Sequence, residues 1–280
     1  MSFFKNSRIL LSCCVAIACL VLVAFLRKPP KNTDYFRFYC EKILNKKKYD
    51  IVVFGNSRSQ ENINYNIIQS YLPNARIFNF GWGGGGYLHP SIIKHGMRFL
   101  DPNGKRVFVY FLDYVFLQKK KNDFYCLLSL LTSLTKDIDV IIKAIFFLKS
   151  NYRVYCRPIE YYDENFYIFR TKESHLNISP KINVHDNCAD FIQNIQFLKR
   201  NHIDCIVLHA PTCPRYREIE HTWFESIHLR EMVENAGYRW LEQPKSLYLS
   251  MRPLGNQHVD IESGERFAHW FGKQLAKMLR

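Results

Sequence analysis

Four short apolar runs constrain this chain more than any other feature. They are Tyr49 to Phe54 (YDIVVF), Ala75 to Phe80 (ARIFNF), residues 106–112 (RVFVYFL) and Asp204 to His209 (DCIVLH). Each is rich in β-branched and aromatic residues, and their centres do not alternate with polar ones. A strand that is apolar on both sides must be covered on both faces. Helical periodicity fills the intervals, over 63–72, 88–100, 189–201, 217–236 and 261–279. Residues 238–241 read as a last short strand. Strands alternating with helices predict parallel βαβ units.

The expected architecture is therefore α/β. It is a three-layer α/β/α arrangement with a mainly parallel, flavodoxin-like sheet. An N-terminal transmembrane helix and a helical insertion are added to it. The chain has 280 residues, enough for one large domain or two small ones. Hydrophobic residues make up 48% and charged residues 23%, a balance that excludes a disordered chain.

Ile9 to Leu26 is an uncharged run, followed by the linker RKPPKNTD. Eighteen helical residues span about 27 Å, close to the hydrocarbon thickness of a bilayer. The run is long for a signal-peptide core, and no A-x-A site follows before Arg27. Residues 1–32 are read as a retained signal anchor and linker, with a cleaved signal and a lipoprotein as alternatives. Residues 33–280 are read as the folded domain, starting with a helix over 35–46. Lysines and arginines beyond the anchor lean towards a cytoplasmic domain. Long domains, however, translocate largely regardless of such charges.

The net charge is +14, of which five charges flank the apolar run. No nucleic-acid signature accompanies it, so a membrane surface or an anionic glycan is expected as partner, and no nucleic acid. Nine cysteines form no CxxC pair, and no Cys/His grouping has zinc-ligand spacing. Mostly buried free thiols, no metal and no cofactor are expected. Residues 119–185 interrupt the α/β rhythm. The stretch Phe124 to Leu148 reads as amphipathic helices, and Tyr152 to Phe169 as irregular. The insertion either packs on the core or forms a lid or bilayer-facing patch.

Two residues carry chemistry. Ser57 sits behind Gly55-Asn56 on a strand-to-helix turn, where a hydroxyl projects from the sheet edge. Its own N–H and the helix start can meet a developing oxyanion. The same residues also serve as ordinary caps and turn formers. His258 lies in a polar loop, Gly255 to Asp260, just before the terminal helix. It is either a general base for the serine or a plain loop histidine. The Gly81–Gly86 run lacks a phosphate-loop ending and is not a dinucleotide fingerprint.

Order and spacing of these pieces resemble the SGNH (GDSL-type) esterases and acyltransferases. Gly55-Asn56-Ser57 is similar to block I. Asn79-Phe80-Gly81-Trp82-Gly83-Gly84 is similar to the N-x-G-x-x-G of block II. The run GNQHVDIESGERFAHWFGKQL, with His258, resembles block V and its terminal helix. Residues 189–217 resemble a segment of membrane-anchored relatives that modify alginate or teichoic acid. The resemblance covers roughly 49–118 and 189–280.

It implies Ser57 as nucleophile and His258 as base, with Ser57 and Gly84 N–H groups forming the oxyanion hole. Asp113 occupies the block III position. Arg58 and Asn79 are expected at the substrate. Gly255 stands where the family has an aspartate, three residues before the histidine. Asp260 is then the substitute acid, or the pair is a Ser–His dyad. The implied function is an esterase or O-acyltransferase, acetyl being the expected group, on a cell-envelope glycan or glycolipid. The domain would then lie outside the cytoplasm, beside a candidate membrane-bound acyl-donor protein. The alternative is a catalytically inactive, membrane-anchored glycan-binding or assembly module.

Overall fold

The computed structural model describes residues 45–81, 90–113, 161–162, 168–169, 189–254 and 258–280. The expected anchor, residues 35–44 of the helix expected over 35–46, the Gly84 turn and most of the insertion lie outside them, while residues 45–46 are not helical. Among the described residues no helix is long and apolar enough to cross a membrane.

Among the described residues nine strands run in chain order: β1 Ile51–Phe54, β2 Ile77–Asn79, β3 Val107–Leu112, β4 Tyr161–Tyr162, β5 Ile168–Phe169, β6 Asp204–His209, β7 Arg239–Leu241, β8 Pro253–Leu254 and β9 His258–Val259. The helices are α1 Ser57–Glu61, α2 Tyr65–Tyr71, α3 Pro90–Met97, α4 Ala189–Arg200, α5 Pro214–Ser226, α6 Leu229–Asn235, α7 Lys245–Leu249 and α8 Ile261–Met278.

The central sheet has the order β2-β1-β3-β6-β7, and every pairing in it is parallel. Counted along that sheet alone, this is the doubly wound order 2-1-3-4-5, with its switch point between β1 and β3. Open α/β sheets of this order place their sites there, outside the carboxyl ends of the strands. Ser57 follows β1 and Asp113 follows β3.

Each side of the sheet is sealed by different helices. Ile51, Val53, Val109, Phe111 and Leu208 face Ile68 of α2 and Phe267 and Phe271 of α8 in one core cluster. The opposite side carries a ladder of rings. Phe54 meets Phe80 and Phe108, Phe80 meets Phe99, and Tyr110 meets Phe191 of α4 edge-on at 5.5 Å. This two-sided burial is why the strand centres read as unbroken apolar runs.

Local differences from the sequence expectation have visible causes. The single helix expected over 217–236 divides at His228, which takes a left-handed φ of 51°. The break lets both halves bury a face: Trp223 and Phe224 of α5, and Leu229 and Val233 of α6. Tyr161–Tyr162 and Ile168–Phe169, expected as irregular, form an antiparallel pair. The β5 strand lies alongside α1. The five-residue helices α1 and α7, and the β8–β9 ribbon, were too short to leave a periodic signal.

Cys205 and Cys213 are buried free thiols, and the other cysteines lie outside the described residues. Burial pushes the Cys205 thiol and the Tyr65 and Tyr110 phenols well up. The unfolded chain therefore loses these protons first as pH rises. Stability is full below the ordinary thiol value of about 8.5 and declines above it, more steeply past the phenol value of about 10. Urea midpoints at pH 7.5, 9 and 10.5 should fall in that order; a flat series would contradict the burial.

Candidate active site

Gly55 makes the turn after β1 possible. A Cβ there would overlap the Ser59 hydroxyl and press on Phe111, because α1 folds straight back over the strand end. Asn56 caps α1: its side chain accepts from the Arg58 N–H at 2.8 Å. The cap takes the N–H of Arg58, not that of Ser57. Ser57 is thereby the first helical residue, and it is half-buried at the C-terminal edge of the sheet. The Tyr65 hydroxyl donates to the Ser59 carbonyl at 2.7 Å and ties α1 to α2.

His258 is half-buried on β9, paired with Leu254 of β8. That ribbon is bolted to the start of α8. The Arg252 N–H donates to the Ser263 hydroxyl at 2.9 Å, and the Asp260 N–H donates to the Arg252 carbonyl at 3.0 Å. The Asp260 carboxylate accepts from the Ser263 N–H at 2.8 Å and pairs with the Arg252 guanidinium at 2.9 Å. Asp260 thus caps α8 and holds the ribbon. The residue on His258 Nδ1 is Asn62, whose Oδ1 lies 2.7 Å away. Asn62 is the residue that ends α1, so the histidine ring is docked on the helix that Ser57 opens.

Beneath this pair lies a buried charge cluster. Arg58 of α1 is fully buried, and its Nη1 is 2.8 Å from the Glu220 carboxylate of α5. Its Nε is 4.0 Å from Asp113, also fully buried. The Tyr216 ring lies 5.9 Å from the guanidinium carbon. His209 Nδ1, at the end of β6, is 3.5 Å from Glu220. Burial, then the neighbouring Cys213, pushes the Tyr216 phenol up, with Arg58 pulling the other way.

The residues expected at the substrate sit behind the surface. Arg58 reaches the carboxylates just described. Asn79 is fully buried, accepts from the Gly81 N–H at 3.0 Å and donates to the Gln60 carbonyl at 3.3 Å. It shapes the turn after β2 and braces α1. Asp113 faces Arg58, and a carboxylate offers no donor to an oxyanion. Gly84 lies outside the described residues.

Sequence reasoning missed Asn62, His209 and Glu220. Glu220 had a legible signal: it lies on the apolar stripe of α5 with Tyr216, Trp223 and Phe224. A charge on a buried face calls for a partner. Among the described residues no group of three or more His, Cys, Asp or Glu could hold a metal ion.

The fold and this constellation define a doubly wound parallel α/β protein in which Ser57 follows β1 at the switch point and His258 is hydrogen-bonded to Asn62, the residue that ends the helix opened by Ser57. No family model matches the chain. No curated protein matches it either. A solved structure of a provisionally assigned platelet activating factor from Streptococcus pneumonia is similar at 12% identity, over 93% of this chain and 99% of that chain, with a TM-score of 0.44. A likeness that loose carries no argument about chemistry.

Proposed function

We propose that this protein is a serine esterase or O-acyltransferase acting through an acyl-Ser57 intermediate. The observation that carries the reading is the 2.7 Å bond between His258 and Asn62. It brings the candidate base onto the five-residue helix that begins with the candidate nucleophile. Such a helix is only about 7.5 Å long.

In this reading His258 accepts the Ser57 proton as Oγ attacks an ester carbonyl. The tetrahedral oxyanion is met by the Ser57 N–H, with the Gly84 N–H as second donor. Collapse expels the alcohol, which takes the proton from His258. Water or an acceptor hydroxyl then gives its proton to His258 and attacks the acyl-serine. His258 returns that proton to Ser57 Oγ as the acyl–oxygen bond breaks, which regenerates both residues and completes hydrolysis or transfer.

A cell-envelope glycan or glycolipid as acceptor, acetyl as the group and a membrane-bound acyl donor follow from the family resemblance. The apolar run over 9–26 and the net charge of +14 accord with work at a membrane, with the domain on the extracytoplasmic side.

The full chain, purified in detergent, should react with a fluorophosphonate probe and hydrolyse p-nitrophenyl acetate. Ser57→Ala should abolish both. Labelling that persists in Ser57→Ala would sink the assignment. A wild-type chain that stays unlabelled yet binds glycan would favour the non-catalytic module.

A further inference from the structure

The donors and acceptors around Asn62 admit one arrangement. The Pro211 carbonyl lies 3.3 Å from Asn62 Nδ2. A carbonyl only accepts, so the amide presents its NH₂ to Pro211 and its oxygen to His258. That oxygen also only accepts, so the ring nitrogen 2.7 Å away, Nδ1, must carry hydrogen. We propose that Asn62 is the positioning residue of this site: its carboxamide, in place of a carboxylate, holds His258 in the Nδ1–H tautomer and puts the lone pair on Nε2. The catalytic meaning of this rests on the acyl-Ser57 reading; the tautomer itself does not.

Asn62 is built for such a duty. It is 4% exposed. Its own N–H donates to the Arg58 carbonyl at 3.0 Å. Its carbonyl packs against Gly264 of α8, where any Cβ would overlap the oxygen. Backbone contacts from α1 and α8, and the Pro211 carbonyl that accepts from the Asn62 side chain, fix the amide before it meets the histidine. A neutral amide orients an imidazole without adding charge, as in Cys-His-Asn proteases. An aspartate in its place would also stabilise the imidazolium. The charged residues of the adjoining segments, Arg58, Glu61, Arg252, Asp260 and Glu262, are common to all the variants below.

The test is nitrogen NMR on the histidine-labelled full chain in micelles, with His258 assigned by its loss in His258→Gln. The wild type should show Nδ1–H. Asn62→Ala should shift His258 to mixed tautomers and slow Ser57-dependent labelling by about 10²-fold or more. Asn62→Asp should keep Nδ1–H but move the titration midpoint of His258, and the pH onset of labelling, upward. A purely structural residue would move neither. An unchanged tautomer in Asn62→Ala overturns the proposal. So does an unmoved midpoint in Asn62→Asp, which decides alone if the alanine variant fails to fold. The expected tautomer response without any Ser57-dependent labelling upholds Asn62 as the holder of His258 and removes only the catalytic reading.

Discussion

Ser57→Ala, His258→Ala and the double variant are expected to hydrolyse p-nitrophenyl acetate at the same residual rate. Each single change should lower kcat by roughly 10⁴–10⁶-fold, the loss seen when a nucleophile–base unit is broken. A serine without its base stays protonated, and a base without its serine has nothing to activate. The second removal therefore has little left to take. Independent contributions would instead multiply. Steady-state rates of the four proteins decide it. A double variant far slower than either single one would show that the two residues do not act as a unit. Circular dichroism should remain unchanged, because both side chains are half-buried at the surface of the site rather than in the core.

How much of this was legible beforehand follows from the range of each signal. The parallel sheet was readable because burial on both faces leaves an apolar mark that needs no partner to interpret. The place of Ser57 on a strand-to-helix turn was readable because a turn behind glycine is a local feature. The alignment of His258 was not. Its ring is set by Asn62, 196 positions away in sequence, and no spacing rule reaches that far. Gly255 stands where an acid was expected, and that gap announced that something must replace it. Asp260 was the nearby option, but its carboxylate is held by the Ser263 N–H and Arg252. Helix capping won the contest for that side chain, as the position just before an α-helix favours. Arg58 is a similar case. Beside the serine it reads as a hand for substrate, yet it points inward to Asp113, just after β3, and to Glu220 on α5.

That inward arginine sets the largest stability effect expected here. Arg58→Met should destabilise the fold by about 3–5 kcal/mol, because it leaves Glu220 and Asp113 as buried carboxylates without their cation. Total stability for a domain is about 5–15 kcal/mol, so this is a large share of it. Methionine fills much of the same volume, so cavity formation adds little. His209 Nδ1 lies 3.5 Å from Glu220, and Arg217 interacts with Glu220 electrostatically, but neither takes the place of the Arg58 guanidinium between Glu220 and Asp113. The cost should be one of charge rather than shape, and a compensating variant separates the two. Arg58→Met combined with Glu220→Gln and Asp113→Asn removes all three charges and should recover most of the loss. Urea unfolding of the wild type and the two variants, compared through midpoints at constant m, measures it. A loss below about 1 kcal/mol in Arg58→Met, or no recovery in the triple variant, would mean that the cluster does not hold these ends together by charge. The stakes reach the site, since Arg58 is the residue after Ser57, and its carbonyl accepts the N–H of Asn62 at 3.0 Å. Loosening Arg58 should therefore disturb the serine and the holder of His258 together.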